Sequence, residues 1–319
     1  MMEYSRKILN DVLGGQKVSP ILPYVSLDQD KQTVDDLTKG VGHISLSGVQ
    51  PKYSMVIDNG QLRLTKPQER GTYILKPAPT ANFILDKQYC PQNEYLTMQL
   101  AREVYGLEVA PCGLCYFQTG QAAYITKRFD IGLNGEKLAQ EDFASLAGLN
   151  KDNAGIDYKY NALSYEEFGE IIQRYVRAYK VELLKFFRLV VFNYITLNDD
   201  AHLKNFSLIE KRPKDYVLSP AYDLMNTSLH LTQPSIFAVK KGLFKEGMAM
   251  DDTHSITRAH FVEFGHRLGL NETVINRELD RFVTQMEIAK QMIHDSELPE
   301  ALAKQYYQSY HYRCLTLTF

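Results

Sequence analysis

The stretch Leu197-Asn198-Asp199-Asp200-Ala201-His202-Leu203-Lys204-Asn205-Phe206-Ser207 gathers carboxylates, amides, a histidine and a lysine in one short segment. It follows an apolar run and precedes the apolar pair Leu208-Ile209, so it reads as a polar loop leaving the core of a domain. A short predicted strand (216–218) comes next, then Ser219-Pro220-Ala221-Tyr222-Asp223. A loop Asp, an Asn five residues on, a strand and a further Asp are what phosphoryl transfer on a kinase fold requires. Asp200 would take the proton of the attacking hydroxyl, while Asn205 and Asp223 hold Mg²⁺ against the nucleotide phosphates. The plainer reading of the same residues is a helix C-cap and a turn, with Asp and Asn serving their own backbone.

The elements that must position these groups separate the two readings. Kinase chemistry needs a strand Lys for the phosphates, an acidic partner on the following helix, and a loop whose amides cover the phosphates. Lys76 ends the predicted strand 72–75, although a Lys before Pro77 also reads as a surface side chain snorkelling over apolar neighbours. Glu94 opens the predicted helix 92–105, with Glu103 as second candidate, and Ser45-Leu46-Ser47-Gly48-Val49-Gln50-Pro51-Lys52 precedes the first hairpin. These features fall in the required order along the chain.

Around them the pattern is α+β. Residues 1–42 are a short lead-in, too small for a core of its own. Residues 43–130 form a strand-rich unit: Asn59-Gly60 marks a tight hairpin, the helix 92–105 stops at Gly106, and strands 114–118 and 122–126 flank Thr119-Gly120. Residues 131–319 are helical. Ser164-Tyr165-Glu166-Glu167 is a capping box, opening a stripe of Phe168, Ile171, Ile172, Tyr175, Val176 and Tyr179. Leu183–Ile195 is apolar on nearly every face, which predicts a buried helix. Ile275, Leu279, Phe282, Met286, Ala289 and Ile293 form a helix-packing seam, and Pro299 opens the last helix. The boundary between the two units falls near residues 128–140.

Composition excludes several classes. The 319 residues carry 36 Lys+Arg against 38 Asp+Glu, so no basic excess marks a dedicated nucleic-acid binder. The most apolar run, 186–197, is interrupted by Arg188 and falls short of the ~18 residues of a membrane span. The first residues lack the pattern of a signal peptide, and four Cys predict a reducing, cytoplasmic setting. Nucleotide-binding GxxxxGK[ST], zinc HExxH, nucleophile GxSxG, EF-hand and paired CxxC motifs are all missing. Cys112 and Cys115 make a lone CxxC, read as packing.

Ser45-to-Lys52, Ile74-Leu75-Lys76-Pro77, Asn93-Glu94-Tyr95, Lys127-Arg128-Phe129-Asp130, Gln140-Glu141-Asp142-Phe143, Asp200-to-Ser207 and Ser219-to-Asp223 together resemble the HipA family. Its members are bacterial serine/threonine protein kinases acting as toxins of toxin–antitoxin modules. The resemblance runs from about residue 43 to the C-terminus. It implies a two-lobed protein-kinase-like fold, ATP and Mg²⁺ as cofactors, Asp200 as catalytic base, and Asn205 and Asp223 as metal ligands. His202 and Lys204 would complete the catalytic loop. Lys76, paired with Glu94, would bind phosphates, Gly48, Val49 and Gln50 would belong to the phosphate-covering loop, and the backbone of Lys127 and Phe129 would hold adenine. Ser45 falls on the family's autophosphorylation site, and Ser47 gives the Ser-x-Ser pair of the HipT subgroup. The implied target is an aminoacyl-tRNA synthetase. The implied partners are a DNA-binding antitoxin and a separate small protein replacing an N-terminal subdomain, with no direct nucleic-acid or membrane contact.

The sequence also departs from expectation. The phosphate loop has a single glycine, Gly48. His202 stands where ordinary protein kinases place a Lys, and the D-x-H-x-x-N pattern also resembles phosphoinositide-type lipid kinases. A small-molecule or lipid-type kinase, or a silent kinase-like binding protein, are the alternative expectations.

Overall fold

The Asn59-Gly60 turn forms as its residue types require. Both residues take the left-handed conformation (φ 49° and 74°), which matches the twist of the strands they join. They connect β1 (Tyr53–Asp58) to β2 (Gln61–Leu64), with Asp58 opposite Gln61. This computed structural model describes residues 3–27, 50–132, 134–248 and 256–319.

Strands β3 (Tyr73–Pro77), β4 (Cys112–Tyr116) and β5 (Ala122–Lys127) extend the hairpin into an antiparallel sheet of order β2-β1-β3-β5-β4. Side chains alternate across a strand, so Cys112 and Cys115, three residues apart, enter different cores on either side of β4. That spacing cannot bring the two thiols together, and packing is their role, as expected. One face is covered by the segment 3–27. Its helix α1 (Arg6–Asp11) is capped by Ser5, and Val12, Leu13, Val18 and Leu22 are buried with Met55, Leu75 and Ile125. The described part of the lead-in, residues 3–27, shares the core of the sheet.

The other face carries α2 (Cys90–Gln99), packed on β4 and β5. Its last turn widens into a π-turn over Leu100–Val104 before Gly106 (φ 59°) ends it. Arg188 donates to the carbonyls of Tyr105 and Gly106, satisfying the helix end.

A second sheet, β6 (Gln140–Asp142), β7 (Ser207–Arg212) and β8 (Asp215–Leu218), sits among helices. Short helices α3 (Phe143–Leu146), α4 (Lys151–Ala154) and α5 (Tyr158–Asn161) lead to α6 (Tyr165–Tyr175), whose capping box is formed as predicted. The stripe expected to run on to Tyr179 breaks. Val176 turns extended (φ −109°, ψ 125°) while staying buried, and a new helix, α7 (Tyr179–Ile195), begins. Apolar spacing persists through the break because both helices feed one core. The seam 275–293 likewise divides at Gln285 into α9 (Glu272–Thr284) and α10 (Met286–His294), after α8 (Arg258–Arg267) and before α11 (Glu300–Thr316). Among the described residues no helix is long and apolar enough to cross a membrane.

Candidate active site

Lys76 lies on β3, and its side chain crosses to α2 and to the segment after β8. Its Nζ is 2.5 Å from Glu94 Oε1 and also donates to Asp223 Oδ1. Lys76 is 3% and Glu94 1% exposed, so the snorkelling reading of Lys76 fails. The second acidic candidate, Glu103, pairs with Lys7 instead. Burial works against the Lys76 charge, but the carboxylates of Asp223 and Glu94 outweigh it and hold the ammonium protonated. Burial likewise raises Glu94, to about 7, against the pull of Lys76. The two carboxylates thus share the Lys76 ammonium. Asp223 also has Lys52 Nζ at 3.5 Å from Oδ2 and adopts a left-handed backbone (φ 56°).

Asp200 reaches the same cleft from the end of α7. Leu197 turns left-handed (φ 48°), and its carbonyl accepts from Thr227 Oγ1 at 2.6 Å. The amide of Asp199 then donates to Thr227 Oγ1, and Asp199 Oδ2 accepts from the Ser235 amide at 2.9 Å. Asp199 therefore ties loop to loop, and Asp200 lines the cavity described below. The Asp200 carbonyl accepts Asn205 Nδ2 at 2.7 Å and the His202 amide at 2.8 Å. Gln50, Lys76, Glu94, Asn198, Asp200, Asp223, Met225 and Thr227 line one cavity of about 10 Å³. That is room for a water at most, so a nucleotide phosphate entering here must draw Lys76 away from Asp223.

The donor set fits Mg²⁺. Asp223 and Asn205 offer hard oxygen ligands, and Asp223 already gathers two ammonium groups. Among the described residues no cluster of three or more His, Cys, Asp or Glu could hold a metal by itself. Mg²⁺ ordinarily takes one or two protein ligands and completes its shell with phosphates and water.

His202 is buried, and its Nδ1 accepts the Lys204 amide at 3.3 Å. That bond leaves the ring proton on Nε2, which lies 3.7 Å from Asp200 Oδ1. Burial lowers His202 to about 4, against the opposing pull of Asp200, so the ring is neutral. Since the folded value lies below the unfolded one near 6.5, the unfolded chain binds the extra proton as pH falls. Stability is therefore expected to drop between pH 6.5 and 4, by on the order of 3 kcal/mol from this group. Denaturant unfolding across that range checks it, and His202→Gln should flatten the slope.

Lys204 is exposed beside the loop; its carbonyl accepts from Tyr222. The Lys127 amide is spent on the Pro111 carbonyl at 2.9 Å. Phe129 packs against Tyr222, and among the described residues its amide and carbonyl have no backbone partner. Gln50 Nε2 donates to the Pro77 carbonyl, while Ser45, Ser47, Gly48 and Val49 lie outside the described residues. Two groups at the site went unread in the sequence. Lys52 closes a quoted motif without a role, and Tyr160, whose hydroxyl donates to Asp200 Oδ1 at 2.9 Å, lies in a segment with no pattern.

The family model for the HipA-like C-terminal domain matches residues 44–290. The chain belongs to this family. A Haemophilus influenzae protein with a provisional kinase name is 27% identical over 272 residues, covering 81% of this HipA-family chain and 77% of that protein. The serine/threonine-protein kinase toxin HipA of Shewanella oneidensis is 22% identical over 276 residues, 79% of this chain and 57% of the toxin. This chain thus spans little more than half of that relative. Among solved structures, Shewanella oneidensis HipA, in a complex with HipB and operator DNA, aligns with a TM-score of 0.69 at 22% identity. The alignment covers 93% of this chain and 73% of that one. The Helicobacter pylori kinase CtkA aligns with a TM-score of 0.54 at 15% identity, covering 82% and 90%. The fold of this HipA-family protein is kinase-like, as the order of its motifs implied.

Proposed function

We propose that this HipA-family chain transfers the γ-phosphoryl group of ATP to a Ser or Thr hydroxyl of a protein. The observation that carries the reading is the buried Lys76–Glu94–Asp223 cluster sharing one cavity with Asp200. A helix cap and turn would need neither a buried ion cluster nor a second Asp beside Asp199. Residues 43–130 and 131–319 serve as the two lobes, with 1–42 as lead-in.

In this reading Phe129 meets the adenine through its backbone, and the phosphates displace Asp223 from Lys76, which Glu94 keeps in place. Asp223 and Asn205 would hold Mg²⁺, which would supply positive charge against the phosphates. Asp200 accepts the proton of the acceptor hydroxyl as its oxygen attacks the γ-phosphorus, and ADP leaves. His202, neutral, packs behind Asp200, and Lys204 stands at the rim. The protein target is an aminoacyl-tRNA synthetase, an antitoxin is the regulating partner, and a separate small N-subdomain-like protein is a second partner. The Shewanella HipA–HipB complex supports the antitoxin.

Incubating the chain with γ-labelled ATP and a cell lysate tests acceptor class. Label on a protein is expected; label confined to a metabolite or lipid would favour the small-molecule reading raised by His202.

Ser45 and Ser47 are the autophosphorylation sites of this scheme. A phosphate there adds about −1.5 to −2 charge beside the ATP phosphates, so phosphorylation is expected to weaken ATP binding. Titration of stoichiometrically phosphorylated protein with a non-hydrolysable analogue checks this; affinity equal to that of the unmodified chain would contradict it.

A further inference from the structure

Helix α5 brings to Asp200 a side chain that lies outside the catalytic loop. Tyr160 is 2% exposed, and its hydroxyl donates to Asp200 Oδ1 at 2.9 Å. Its ring meets the His202 ring edge-to-face at 4.9 Å, and Lys159 Nζ lies over the ring's face at 4.9 Å. The Tyr160 carbonyl accepts the Lys240 amide at 2.8 Å, which fixes the short helix to the chain beyond the second sheet. The loop carrying Asp200 and His202 thus meets the phenol directly, while Lys240 holds its backbone. Its hydroxyl and the Nε2 of His202 converge on the same carboxylate oxygen.

A general base works only when its lone pair is aimed at the proton it receives. Asp200 follows a loop turn, and a carboxylate there rotates about χ2 unless something stops it. A buried hydrogen bond from a phenol does so, and it leaves the acid–base step itself to Asp200. We propose that Tyr160 is a positioning residue for phosphoryl transfer, fixing the Asp200 carboxylate in the orientation that receives the acceptor's proton. The inference rests on the kinase reading above and adds to it a residue outside the catalytic loop.

The test is steady-state kinetics of Tyr160→Phe beside wild type and Asp200→Ala, with nucleotide titration and thermal unfolding of each. Phe keeps the ring contacts and removes only the hydroxyl. A fall in kcat of about 10- to 100-fold is expected, the weight of one hydrogen bond to a charged group. KM and affinity for ATP should stay at wild-type values, which a general loosening of the fold would not allow. Wild-type kcat, or loss through ATP binding alone, would overturn the proposal. So would a rise in kcat, which would mean that the hydroxyl blocks the acceptor's place. Should Tyr160→Phe not fold, 3-fluorotyrosine at 160 keeps the shape and changes the donor's strength; an unchanged kcat would again overturn it. Failure of the underlying reading is distinguishable, because wild type itself would then transfer no phosphoryl group, or Asp200→Ala would match it.

Discussion

Asp200→Ala is expected to lower phosphoryl transfer by about 10²- to 10⁴-fold, the contribution of a positioned base, while leaving ATP binding intact. The structure explains why the fold should tolerate the change. The bonds that hold the loop run through Asp199 to Thr227 and Ser235 and through the carbonyl of residue 200 to Asn205, and alanine keeps that carbonyl. The loss falls on Tyr160, whose buried hydroxyl gives up its acceptor, at a cost of about 1–3 kcal/mol. Single-turnover kinetics, with analogue titration alongside, checks both halves. Transfer at the wild-type rate would remove Asp200 from the chemistry, and loss of ATP binding would make it a structural residue.

Lys76→Met is expected to be the more damaging change overall. It removes the ammonium that meets the phosphates, so ATP binding should be lost, and it strands Glu94 at 1% exposure beside Asp223. Breaking a buried pair from one side costs about 3–5 kcal/mol. The pH dependence has a definite sign. Glu94 in the folded wild type is raised to about 7, so the folded chain holds a proton the unfolded chain releases, and stability falls as pH rises toward 7. Without Lys76 the Glu94 range climbs further, and the fall continues to higher pH. Denaturant unfolding at pH 6 and pH 8 should therefore show a deficit that widens at pH 8. A deficit independent of pH would mean that Glu94 does not depend on Lys76 for its charge.

How much of this was legible before the fold was known depends on the kind of signal. Local chemistry read well: Asn59-Gly60 specified its hairpin, Ser164 with Glu167 its helix start, and the order of the motifs the kinase-like fold. Depth did not read well. Lys76 before Pro77 looks like a surface lysine, and only its two distant carboxylates make burial possible. Nor could the structural role of Asp199 be read, since its tie to Thr227 and Ser235 forms only once β7 and β8 return the chain. Helix ends at Val176 and Gln285 were hidden because apolar spacing continues where backbone direction changes. Tyr160 left no signal because its partner lies forty residues away and its own helix is a single turn.

The measurement that bears most directly on the central reading uses the purified chain with Mg²⁺ and γ-labelled ATP, analysed by mass spectrometry, with Asp200→Ala treated identically. Label is expected on a Ser or Thr hydroxyl in the peptide spanning Ser45 and Ser47 of the wild-type chain, and not in the variant. Equal labelling of the two proteins, or a wild-type chain that binds ATP yet labels neither itself nor any added protein, would contradict phosphoryl transfer through Asp200.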